Sequence, residues 1–170
     1  MRLLLTLVLS LLAGTLPTRV GPGPRYRPAA SPPPASLACR NASLTAGARS
    51  HVELFARRRV VVVPAAIGLR APRLTLGRVA AARCRADVWT LDPSGVVRFA
   101  GNATLGDLFR AWGRELGPRR LLGFAGHVHV YVAGRAWHGD PRRLRLRDRA
   151  EIVLEVGGWI PPHRSFLFPR

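Results

Sequence analysis

The chain has 170 residues, 48% apolar and 21% charged, which suits one globular domain with a real core and excludes a wholly disordered or fibrous protein. Its formal net charge of +18 comes from 27 basic residues, all of them arginine, against 9 acidic ones. The arginines are spread along the chain and accompany abundant Ala, Gly and Pro, so the charge reads first as compositional bias on a solvated surface, and no specific nucleic acid is expected as a partner.

Met1-Arg2 precedes an apolar run from Leu3 to Gly14, the layout of a signal peptide. As a helix of about 14 residues it would span roughly 21 Å, short of the roughly 30 Å hydrocarbon core. Residues 1–15 are therefore expected to be a signal peptide or N-terminal anchor. The protein is then exported, extracytoplasmic or secreted, or held at the membrane by an uncleaved N-terminus. Residues 16–48, with Gly21-Pro22-Gly23-Pro24 and Pro32-Pro33-Pro34, read as an extended linker. Asn41-Ala42-Ser43 and Asn102-Ala103-Thr104 are glycosylation sequons by pattern, read as chance matches. Cys39 and Cys84 are the only cysteines. In an oxidising compartment they can form one disulfide, and the alternative is two unrelated thiols.

A globular domain is expected over 49–158. His51 to Ala56 and Val60 to Val63 flank three arginines and end at Pro64, a hairpin signal. Arg85 to Leu91 and Val96 to Phe99 flank Asp92-Pro93-Ser94-Gly95, a type I turn sequence, and make a second hairpin. Thr104 with Asp107 three residues on opens an amphipathic helix as a capping-box variant. Leu105, Leu108, Phe109, Trp112 and Leu116 form its apolar stripe, and Gly117-Pro118 is expected to end it. Val128, Val130 and Val132 alternate with His127, His129 and Tyr131 in the next strand. Ala150 to Val156 is a long apolar strand expected to hold Glu151 and Glu155 outward, in exposed ion pairs with Arg147 and Arg149. Residues 159–170 form a Pro- and aromatic-bearing tail expected to drape over the domain.

The fold class expected is α+β, mostly β, with one packed helix. Two strands, a helix and two further strands over Cys84 to Gly158 resemble the β-grasp (ubiquitin-like) arrangement, with the first hairpin preceding it. Gly157-Gly158 is followed by Trp159-Ile160-Pro161-Pro162, so the sulfur-carrier role of a free C-terminal Gly-Gly does not carry over. His51, Phe55, Val63-Pro64-Ala65-Ala66-Ile67-Gly68, Ser94-Gly95-Val96-Val97, Thr104-Leu105-Gly106, Trp112-Gly113 and Gly139-Asp140-Pro141 are similar to a family of uncharacterised exported bacterial proteins. That resemblance implies a His-Thr-His-Asp element in the second hairpin and a further His on its return strand. Here those positions hold Trp89-Thr90-Leu91-Asp92 and Arg98, so it implies a retained scaffold and not inherited metal chemistry.

Function is read by elimination. There is no Gly-x-Ser-x-Gly elbow and no phosphate-cradling loop, so no catalytic residue is assigned and an enzyme is not expected. The first expectation is a non-enzymatic cell-envelope binding or structural domain, without cofactor, for an envelope ligand or protein. The second is a metal ion held by His127 and His129, which project from one strand face, with His51 or His138 completing the set. The third is attachment to an anionic polymer or membrane surface through Arg57, Arg58, Arg59, Arg142, Arg143 and Arg145.

Overall fold

A computed structural model describes residues Arg25, Tyr26, Pro28, Pro34 and 36–169. The apolar N-terminal run, and with it the expected signal or anchor, lies outside the described residues, as does most of the Pro-rich stretch. No helix among the described residues is long and apolar enough to cross a membrane.

The protein is α+β and mostly β. β1 (Ala48–Ala56) and β2 (Arg59–Val61) form the first expected hairpin, and β3 (Val88–Thr90) and β4 (Val96–Phe99) the second. α1 spans Leu105–Trp112, and β5 (Val128–Val132), β6 (Arg135–Trp137) and β7 (Glu151–Val156) follow. All the strands so labelled, with the short strand Arg25–Tyr26, join one eight-stranded mixed sheet. Its central run is β2-β1-β7-β5-β6, with β4 pairing a further part of β1 and β3 pairing β4. β1 and β7 are parallel, and Glu151 stands opposite His51, Val153 opposite Glu53 and Glu155 opposite Phe55.

This pairing reaches outside the tract from Cys84 to Gly158. The parallel partner of β7 is β1, outside Cys84 to Gly158, and not the first strand of the second hairpin. The second hairpin instead extends the sheet through β4, which runs antiparallel to the start of β1. The physical reason is length and pattern: β1 carries nine strand residues, enough to pair β4 at its beginning and β2 at its end while β7 lies along its other edge.

α1 forms as its caps require. The Thr104 side chain accepts from the Asp107 amide and the Asp107 carboxylate accepts from the Thr104 amide, a reciprocal capping box. The helix ends earlier than the apolar stripe indicated. Gly113 is left-handed at φ 67°, and its amide donates to carbonyls of the last turn. Leu116, counted in the stripe, lies instead in the short strand Leu116–Gly117. Leu105, Leu108, Phe109 and Trp112 pack on Val52, Leu54, Val97, Val128, Val130, Ile152 and Leu154, the alternate positions of β1, β4, β5 and β7 that face the helix. Each such side chain contributes about 1.5–3 kcal/mol on full burial.

A second cluster, Leu69, Val79, Trp89 and Leu91, lies in the insert between β2 and β4. The Cys39–Cys84 disulfide is present, with Cα atoms 5.5 Å apart. It ties residues 36–47 to this cluster, where the Trp89 indole donates to the Leu44 carbonyl at 2.8 Å. The guanidinium of Arg85 lies 3.8 Å from the Trp89 ring centroid and donates to the carbonyls of Ser43 and Ala86. Packing therefore begins well before residue 49. A disulfide suits an oxidising, extracytoplasmic environment.

Replacing both cysteines by serine is expected to lower unfolding stability by about 2–4 kcal/mol, from the chain entropy of a loop of 45 residues. Urea unfolding measures the loss, and limited proteolysis should then cut first within 36–47.

Candidate functional site

The sheet face turned away from α1 carries the ionisable groups. Period-two alternation puts His51, Glu53 and Phe55 of β1 there, and the parallel register sets Glu151, Val153 and Glu155 of β7 beside them. On β5, His129 pairs with Glu155 and Tyr131 with Val153 on the same face. After β7 the chain turns at Gly157 and Gly158, both at positive φ, and residues 159–169 return along this face. His163 meets Glu53, Phe166 stacks on His51 with ring centroids 3.7 Å apart, and Arg49 donates to the Pro169 carbonyl. The side chains of Arg49 and Arg149 approach the Phe168 ring.

Three side chains converge beside this tail, and His163 of the tail reaches one of them. His51 Nδ1 lies 2.9 Å from Glu151 Oε2, and His163 Nδ1 lies 2.6 Å from Glu53 Oε2. Ligand-capable atoms of His51, Glu53 and Glu151 all lie within 4.8 Å of one another. His51 Nε2 is 2.9 Å from the Ser94 carbonyl, which can only accept, so this nitrogen carries a proton. The turn that supplies the carbonyl needs a glycine next. Gly95 sits at φ 84°, and a β-carbon there would stand 2.9 Å from His51 Nε2. Ser94 itself is held by its own turn, its hydroxyl bonded to the Asp92 carboxylate. A cavity of about 270 Å³ opens here, lined by His51, Glu53, Val62, Ser94, Gly95 and His163 among others.

Burial opposes a charged imidazole at His51, but the Glu151 hydrogen bond and charge, the Ser94 carbonyl and the Glu53 charge outweigh it and leave the pKa above the ordinary value. Burial pushes the Glu151 carboxyl up, and His51 only partly offsets that, with the Glu53 charge adding to the rise. The pair thus holds a shared proton tightly.

The expected outward placement of Glu151 and Glu155 is corrected. Both are buried, at 2% and 0% exposure, because the tail covers the face that a two-layer α/β packing would leave open. Glu151 pairs with His51 and not with Arg147 or Arg149. Glu155 forms no hydrogen bond through either carboxylate oxygen among the described residues. Burial raises its pKa, with the Ile160 backbone amide acting weakly the other way.

The structure divides the expected metal ligands. His51 is in the cluster. His127, His129 and His138 are exposed and line a separate groove of about 300 Å³, where the rings of His127 and His129 meet edge to face at 4.5 Å. These three do not form a group with converging ligand atoms, whereas His51, Glu53 and Glu151 do. Sequence reasoning missed Glu53, Glu151 and His163. The available signal was His-x-Glu in β1 facing the Glu151 end of β7, which becomes readable only once the two strands are known to be parallel neighbours. Among the arginines, Arg57, Arg58 and Arg59 are exposed at the β1–β2 tip, while Arg142 and Arg143 lie in a short 3-10 turn, Pro141–Arg143, packed against α1, and Arg145 follows it. Arg142 is engaged by the Asp140 carboxylate, which is pulled below the usual range by that guanidinium.

No protein-family model, curated protein or solved structure matches this chain.

Glu155 generates a stability prediction with a definite sign. Its folded pKa lies above the unfolded one, so its contribution to stability is greatest below the unfolded value of about 4.5 and is lost as pH rises through the folded value. Glu155→Met is expected to raise stability by about 1–2 kcal/mol at pH 8, where wild type buries an unpartnered carboxylate, and by less at pH 5. Urea unfolding at the two pH values checks both the gain and its decline.

Proposed function

We propose that this protein is an exported, non-enzymatic binding domain of the cell envelope, β-grasp-like in its central sheet, that takes a small ligand into the cavity between β1, residues 60–63 and the β3–β4 turn, bordered by His163 of the C-terminal tail. The observation carrying the reading is that His51, Glu53 and His163 line that cavity, with Glu151 paired to His51. A volume of about 270 Å³ suits an ion or a compact molecule rather than a polymer. Polar groups gathered at a covered place in a sheet are expensive to bury and are held where binding uses them. Support for the β-grasp likeness is a first hairpin, a helix and a second strand pair, with the first and last strands parallel at the centre of the run β2-β1-β7-β5-β6. Support for export is the disulfide together with the apolar N-terminal run. A non-enzymatic role fits the state of the side chains: the cluster groups pair with one another, and both cysteines are bonded.

The test is native mass spectrometry of the full chain isolated from the extracytoplasmic fraction of its expressing cells. A bound small species is expected, and Val62→Trp, which fills the cavity from a half-buried lining position, should remove it while circular dichroism stays unchanged. A chain that carries nothing, or a bound species indifferent to Val62→Trp, overturns the reading.

One observation favours a second reading, attachment to an anionic polymer. Arg57 and Arg58 occupy the β1–β2 turn at φ 50° and 62°, left-handed positions where Asn-Gly is preferred. Arginine there costs backbone energy of order 1 kcal/mol per residue and places its guanidinium groups at an exposed tip. Binding to polyphosphate should weaken steeply with salt, and Arg57→Asn/Arg58→Gly should reduce the slope by about two. A slope that the substitution leaves unchanged removes the tip from this role.

A further inference from the structure

We propose that the ligand of this site is a divalent first-row transition-metal ion, zinc(II) or a close relative, held by His51 Nδ1, Glu53 and Glu151, with His163 Nδ1 joining from the tail through its contact with Glu53. The inference rests on the binding-domain reading above and names the chemistry of its ligand.

Three features carry it. First, the donor set is mixed. Two imidazole nitrogens and two carboxylates suit a borderline divalent ion, and four protein donors make a closed site of the holding kind rather than a catalytic one with an open position. Second, the spacing is close to what such an ion needs. Donors bound at about 2.0–2.1 Å in a tetrahedron stand roughly 3.3 Å apart. The contacts here are 2.9 Å between His51 and Glu151 and 2.6 Å between His163 and Glu53, and His51, Glu53 and Glu151 offer atoms within 4.8 Å of one another. His51, Glu53 and Glu151 therefore already converge, and His163 reaches the group at Glu53. Third, His51 already has the outer contact that ligating histidines use. Its Nε2–H donates to the Ser94 carbonyl, which fixes the tautomer and leaves Nδ1 as the nitrogen turned towards the carboxylates. Gly95 packs against the ring and Phe166 stacks on it, so the imidazole is oriented from three sides.

The ion would take the place of the proton that His51 and Glu151 now share, with the displaced proton released to solvent. Two negative carboxylates and two neutral imidazoles around a divalent cation leave no net charge at the site. His163 gives the tail a place in the site. Because it comes from residues 159–169 and is partly exposed, the ion would pin the tail to β1 as it binds.

Isothermal titration of the chelator-treated full chain with zinc(II) tests this, with cobalt(II) absorption reporting geometry. One ion per chain and a tetrahedral cobalt spectrum are expected. His163→Ala and Glu53→Gln should each weaken binding by about 10–100-fold, the scale seen when a metal's supporting contacts are removed. Both positions are partly exposed, so folding should survive, and circular dichroism checks that it does. Gly95→Ala, which crowds the His51 ring without removing a donor, should also weaken binding. The double variant His127→Ala/His129→Ala should bind as wild type. Absence of stoichiometric binding, or loss of binding in the His127/His129 variant with none in the His163 and Glu53 variants, overturns the inference. If zinc fails while the isolated chain carries a non-metal species removed by Val62→Trp, the ion is wrong and the binding-domain reading stands; if both fail, both fall.

Discussion

The structure depends on the parallel pairing of β1 with β7 at the centre of the sheet. All six residues of β7 are buried, so this strand has no solvent face. A strand of that kind is ordinarily apolar throughout. Here Glu151 and Glu155 occupy two of its positions, and the register sets Glu151 against His51. A buried carboxylate needs a compensating partner, and His51 is the one the pairing supplies. One strand register therefore creates both the central stability of the sheet and its least comfortable chemistry.

The tail follows from that constraint. Without it the second face of the sheet would expose Phe55, Val153 and the ionisable row, leaving a single layer of helix on one side. Residues 159–169 supply the second layer without any helix or strand, by ring stacking, one imidazole–carboxylate contact and arginine contacts at Phe168. Trp159 and Leu167 remain exposed, at 63% and 95%, so the cover is thin. Its strongest attachment is where His163 and Phe166 meet Glu53 and His51, which is also where the cavity lies.

Much of the architecture was legible in the sequence because local chemistry determines it. The capping box at Thr104 and Asp107, the hairpin about Asp92 to Gly95 and the alternation of Val128, Val130 and Val132 are each decided within a few residues. The helix end was not, because Leu116 continues the apolar spacing while the left-handed Gly113 breaks the helix before it. The cluster was less legible still. Its members come from β1 and, 100 to 110 residues further along the chain, from β7 and the tail, and their proximity depends on a parallel pairing that no periodicity announces. Alternation alone places Glu151 on a polar face and leaves open whether that face meets water or a covering segment.

The same placement changes the meaning of the positions where the family resemblance implies histidines. Trp89 and Leu91 fill the second core cluster, beneath the stretch that the disulfide fastens, and Arg98 donates to the Thr45 carbonyl at the edge of that stretch. Trp89 is fully buried and its indole is hydrogen-bonded, so the second hairpin has been given over to packing. What the hairpin retains for the site is backbone: the Ser94 carbonyl that orients His51 and the glycine that lets the imidazole approach. The turn orients the neighbouring imidazole through a main-chain carbonyl and a left-handed glycine, with no side chain of residues 89, 91 or 98 involved. The ionisable groups of the site lie in the strand pair beside the hairpin, where His51 and Glu151 meet and the tail brings a second imidazole to Glu53.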